Sequence, residues 1–119
     1  MKLKQFFVRP GRFRNRETIP ISNVQYLGRN DNIFEFVVSN PKKNTSYTCS
    51  IYIDDKMNVK FDCTCDSFKY QFAAILSYRN ALLYPEKYSK KLPRNIAIAY
   101  ICKHLEACIN FLKSRGLIY

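Results

Sequence analysis

A chain of 119 residues suits one compact domain and is too short for two with separate cores. Its 47% apolar and 15% aromatic content excludes a disordered chain, because that much side chain can be buried against the entropy of ordering the backbone. Twenty Lys and Arg against nine Asp and Glu leave a net charge of +11, which implies a polyanionic partner, or else serves solubility in a crowded assembly.

From Met1 to Arg16 there are six basic residues, Lys2, Lys4, Arg9, Arg12, Arg14 and Arg16, and no acid before Glu17. Residues 1–20 are expected as a basic N-terminal arm and 21–119 as a single α+β domain. Phe6, Phe7 and Phe13 lie among these charges. Such interleaving tracks phosphates while stacking on bases, or else the phenylalanines pack on the domain with the arginines solvated around them. The opening "MKLKQFFVRPG" is broken at Arg9 and Pro10, too early for a secretory apolar segment. No apolar run approaches the roughly 18–20 residues of a membrane span. The expected setting is intracellular (cytoplasmic, or nucleoid or nuclear) or within a virion, where thiols stay reduced. Five cysteines, an odd number, fit that setting better than a disulfide framework.

After Pro20, two β-rich runs at about 24–27 and 33–39 are parted by the turn formers Gly28, Arg29, Asn30, Asp31 and Asn32, which predicts a hairpin. "NPKKNT" interrupts; then Tyr47, Cys49, Ile51 and Ile53 fall on one side of a strand and Thr48, Ser50 and Tyr52 on the other. "DDKMN" turns the chain again, Asp54 and Asp55 reading as turn residues. Val59, Phe61 and Cys63 then alternate with Lys60 and Asp62. The result is a small antiparallel sheet of three to four strands. "SFKYQFAAILSYRNALLY" changes the period to that of a helix, with Ser67 available as its N-cap. Pro85 and Pro93 bracket a basic segment that cannot continue it. Ile101, Leu105, Cys108, Ile109 and Leu112 mark a last helix, stopped at Gly116.

The pairs Cys63/Cys65 and Cys102/His104 form C-x-C, 36 intervening residues, then C-x-H, with the chain's only histidine. Three thiolates and one imidazole complete a tetrahedral zinc set, and leave no position for the water a catalytic zinc requires. One structural Zn2+ is therefore expected, held by Cys63, Cys65, Cys102 and His104. Residues two apart on an α-helix point about 200° away from each other. Cys102 is thus expected to precede the helix and His104 to sit in its first turn, while Cys63 and Cys65 share one face of a strand. Taken singly, each of the four also suits an ordinary buried position. Cys49 and Cys108 are expected in the core, with Cys108, one turn past His104, the alternative ligand. Asp62 and Asp66 are expected as solvated groups or as partners of the metal's ligands.

"FDCTCDSF" and "ICKHLEACINFL" resemble the SWIM zinc-finger family, whose pattern is C-x-C, a variable spacer and C-x-H on a β-hairpin followed by a helix. Leu105 and Ala107, after the histidine, match as well. The resemblance covers about 47–115, with a helix-loop insertion at about 67–95 that makes the spacer long. It implies a module that binds DNA or other proteins, without catalysis. Once His104 is assigned to the metal, no Ser-His or Cys-His pair remains, so no enzyme is expected.

The expectation is a non-catalytic zinc module that binds nucleic acid, DNA or RNA. Its phosphate contacts would be Arg9, Arg12, Arg14, Arg16, Lys42, Lys43, Lys87, Lys90, Lys91 and Arg94. The alternative is a protein adaptor or structural subunit of a larger viral or ribonucleoprotein assembly. No membrane or small-molecule substrate is expected.

Overall fold

A computed structural model of the chain describes residues 1–40, 42–88 and 99–118. Four antiparallel strands follow one another in a single sheet, ordered β1 (Val24–Asn30), β2 (Ile33–Asn40), β3 (Thr45–Ile53), β4 (Val59–Cys63). Alternation decides which face is covered. Phe34, Phe36, Val38, Cys49, Ile51, Ile53, Val59, Phe61 and Cys63 are buried on one side, and the C-terminal helix α2 (Lys103–Ser114) packs against all four strands. With helices on one face of an antiparallel sheet, the chain is α+β.

The first hairpin is tighter than its sequence suggests. Strand β1 runs to Asn30 and the turn shrinks to Asp31 and Asn32, with Asp31 in the left-handed region at φ 55°. Gly28, expected in the turn, instead carries a bulge, where the register shifts between Tyr26 and Gly28. Its φ of 121° is one that only glycine tolerates without strain.

Residues 1–20 lie against the domain, with Leu3, Phe6, Phe13 and Ile19 in the core. Phe6 meets Phe61 edge to face at 4.7 Å, so of the two roles open to the N-terminal phenylalanines, packing is the one Phe6 and Phe13 fill. The outer edge of β4 is covered twice. The Leu3 N–H donates to the Met57 carbonyl and the Val59 N–H to that of Met1; further along, the Phe61 N–H donates to Ala81 and the Leu83 N–H to Phe61. Covering an edge removes a template for unwanted strand pairing.

The helix after β4 is shorter than its apolar spacing predicts. A π-helical turn, Phe68–Phe72, leads into α1 (Ala73–Tyr78), the Ala73 N–H donating five residues back to the Phe68 carbonyl. Ser67 makes no capping bond and is itself helical at φ −58°, ψ −41°. The helix is ended by Asn80, whose φ of 57° permits a Schellman end: Ala81 N–H to the Leu76 carbonyl and Asn80 N–H to that of Ser77. Leu82 and Leu83, which extended the helical pattern in sequence, are thereby released to run beside β4. Gly116 ends α2 in the same way, with Leu117 N–H bonded to the Leu112 carbonyl and φ 67° at the glycine.

Candidate metal centre

Two chain bends meet beneath the sheet. Cys63 is the last residue of β4, and Cys65 lies just past it, where the chain turns into the helix; the expected common strand face ends two residues before Cys65. The Phe68 N–H donates to Cys65 Sγ at 3.4 Å, and the Lys69 N–H to the Cys65 carbonyl, so the first helical turn is folded around that sulfur. Cys102 is the N-cap of α2 with an extended φ/ψ of −69°/164°, and the helix begins at Lys103. This is the break that C-x-H spacing demands, since it lets Cys102 and His104 face one point.

The four ligand atoms of Cys63, Cys65, Cys102 and His104 all lie within 4.8 Å of one another, and all four residues are buried. Zn–S bonds of about 2.3 Å in a tetrahedron separate the sulfurs by roughly 3.8 Å, so the cage has the right scale. Neither ring nitrogen of His104 meets a partner in hydrogen-bonding geometry, although both are inaccessible to water, and the side chain its ring does act on is that of Cys65, a member of the same set. An unsatisfied buried polar atom costs about 1–3 kcal/mol, a penalty that a metal on one nitrogen removes for that atom. Three sulfurs and one imidazole also match the ligand preference of zinc. On these grounds the residues fit one metal ion, and a set closed by four protein ligands fits a structural site.

The sulfurs differ in character. Cys65 is held well below the ordinary thiol range by hydrogen bonds from Cys102 and Cys63, against its burial, with His104 and the Phe68 N–H adding to them. Cys63 accepts stabilisation from Cys102, but its contacts with Cys49 and Cys65 and its burial carry it upward. Burial raises Cys102, and the neighbouring sulfurs add to this. Packing several thiolates into one dry site is unfavourable until a cation is present.

Cys49 and Cys108, expected in the core, are there, and both are fully buried. Cys49 also touches the cage: it is the cross-strand partner of Cys63, with the two Sγ atoms 3.5 Å apart, and its thiol is pushed well above the ordinary range, first by its neighbour Cys108. The sequence carries a signal for this, because a turn over "DDKMN" that pairs Ile53 with Val59 must pair Cys49 with Cys63. Tyr47, on the same face, lays its ring 4.4 Å from that of His104.

A second polar centre had no forewarning in the sequence. Glu106, one helical position from Leu105 and Ala107, is buried, and takes Arg9 through Nε and Nη2 at 2.6–3.0 Å, Arg16 at 3.0 Å and the Tyr100 hydroxyl at 2.8 Å. Burial pushes its carboxyl up, and Arg9, Tyr100 and Arg16 together hold it below the usual carboxylate range. Arg16 also donates to the Ile101 carbonyl and lies over the Phe13 and Tyr100 rings. The cluster ties the N-terminal segment to the helix that carries His104. Asp62 is likewise buried, accepting from the Tyr88 hydroxyl and from Lys87, whereas Asp66 is exposed.

The expected phosphate contacts divide accordingly. Arg9 and Arg16 are turned inward to Glu106. Lys42 is exposed and shares Glu17 with Lys103, and Lys87 reaches Asp62 while standing over the Tyr84 ring. Arg12, Arg14 and Lys43 are exposed. Lys90, Lys91 and Arg94 lie outside the described residues. Among those residues no helix is long and apolar enough to cross a membrane.

Set against protein-family models, curated proteins and solved structures, the chain matches none. The reading of this centre therefore stands on its own residues and their geometry.

Proposed function

We propose that the chain is a non-catalytic, SWIM-like module in which one structural zinc ion joins the end of β4 to the start of α2, and that it binds nucleic acid. The observation that carries the metal is the buried set of three sulfurs and an imidazole with both ring nitrogens unpartnered. What supports nucleic acid is the net charge of +11. Self-repulsion of that size is relieved by a polyanion, and Arg12, Arg14, Lys42 and Lys43 stand in solvent to meet one. Zinc supplies cross-linking here, with Cys63, Cys65, Cys102 and His104 as its holders.

Titrating the zinc-loaded protein with a generic duplex and a single strand at two salt concentrations tests this. If four phosphates are neutralised, affinity falls about 100-fold between roughly 50 and 200 mM salt. Absence of binding at low salt sinks the nucleic-acid reading. One observation favours the alternative, an adaptor in a larger assembly: Arg9 and Arg16 are engaged internally. An adaptor's partner would bind with little salt dependence.

A further inference from the structure

The solvent side of the helix from Phe68 to Tyr78 presents two bare aromatic rings. Tyr70 is 77% exposed and Tyr78 57%, whereas Phe68, Phe72, Ala73, Ile75 and Leu76 of the same helix face the core. Tyr78 follows Tyr70 by eight positions, about two helical turns further along. Between them stands Ala74, too small to screen either ring. Each ring offers a flat surface of roughly 150 Å2 or more on which a second π-face can stack.

The surroundings are cationic. The Lys69 ammonium stands 5.1 Å from the centre of the Tyr70 ring. The turn bearing Arg12 and Arg14 reaches the same helix from its inner side, where Phe13 packs 5.4 Å from Phe72. Both arginines are exposed, and neither makes an ion pair among the described residues. Flat π-faces interleaved with unneutralised cations complement a strand whose bases and phosphates alternate. A duplex does not satisfy them, because its base faces are stacked on each other.

We propose that this helix face is a base-stacking platform for single-stranded nucleic acid, with Tyr70 and Tyr78 each taking a base, Lys69 the adjoining phosphate, and the exposed Arg12 and Arg14 contributing to the positive field around it. The inference rests on the nucleic-acid reading above and adds the strand form and the residues. Stacking is worth about 1–3 kcal/mol per base and tolerates any sequence, so the platform discriminates single strand from duplex without selecting a sequence.

The test uses the full zinc-loaded chain, fluorescently labelled 12-nucleotide oligo-dT and oligo-rU, and a 12-base-pair duplex, followed by anisotropy. Because both tyrosines are exposed, their substitution leaves the core intact. Expected are a loss of about 10-fold or more in single-strand affinity for Tyr70→Ala with Tyr78→Ala, near-complete retention for the two Tyr→Phe changes, and unchanged duplex affinity. The platform is refuted if the double alanine variant stays within twofold of the parent on single strands, or loses duplex affinity to the same extent, while salt-sensitive binding persists. Failure of the parent to bind any of the three probes overturns the platform and the nucleic-acid reading together.

Discussion

His104 is the residue on which the centre depends, since it is the one member of the set whose burial has no rationale without a metal: a buried cysteine is an ordinary small apolar side chain, a buried imidazole with no partner is not. Replacing His104 or Cys65 by alanine should lower zinc affinity by orders of magnitude in competition with a chromophoric chelator, whereas Cys49→Ala should keep one ion per chain, because its sulfur only touches that of Cys63. At neutral pH, zinc loading should displace protons from Cys63 and Cys102, the two thiols whose surroundings favour the neutral form, and an indicator dye in weak buffer reads them. Glu106 makes a prediction of the opposite kind. Its folded carboxyl sits below its ordinary value of 4.5, so its contribution is fully present above that pH and is lost as pH falls through the lowered value. Glu106→Gln should cost about 3 kcal/mol at pH 7, the low end for breaking a buried pair, because Arg9 and Arg16 keep some solvent. The gap between parent and variant in urea unfolding should narrow below pH 4.5; a gap constant from pH 7 to pH 3.5 would contradict the assignment.

At the scale of elements, the two ligand pairs are placed by chain breaks, a strand ending at Cys63 and a helix beginning at Lys103. The helix start was legible in the sequence because ligand spacing and secondary-structure period restrict each other: C-x-H cannot converge inside a helix, so the helix had to start after Cys102; the strand end was not, since C-x-C fits one strand face as well as a bend. Less legible was anything set by a single backbone angle. Gly28 looks like a turn residue and serves a bulge, while Asn80, inside an apolar pattern that continues to Leu83, ends its helix through a left-handed φ. Pairing across long stretches of sequence was not legible at all, since nothing local to Arg9 or Arg16 points to Glu106, some ninety positions away. Gly28→Ala should therefore destabilise the protein by roughly 1–3 kcal/mol, since a Cβ there has room but the wrong backbone angle. Gly11→Ala, free of that constraint, should change thermal stability little, and equal effects would argue against the bulge.

For the whole molecule, the sheet's covered face is closed by three pieces that are distant in sequence: the N-terminal segment, the helix after β4, and α2. Zinc would join the end of β4 and the bend after it to α2 through four side chains, and Glu106 binds the N-terminal segment to α2. Deleting residues 1–19 should accordingly unfold the domain instead of only weakening nucleic-acid binding, because it exposes Phe61 and Phe72 and leaves Glu106 buried with Arg9 and Arg16 gone; circular dichroism of the truncated chain checks this. Structural zinc contributes on the order of 10 kcal/mol, as much as a small domain's entire net stability. Stripping the ion should thus lower the melting transition of the whole chain and broaden its amide spectrum throughout, not only near the site. The most direct measurement is cobalt substitution of the purified protein, followed by visible spectroscopy. One cobalt per chain with intense tetrahedral ligand-field bands and thiolate charge transfer, displaced by one equivalent of zinc, is the predicted result. Weak octahedral bands, or no stoichiometric binding to a chain that stays folded, would contradict a metal centre built from Cys63, Cys65, Cys102 and His104.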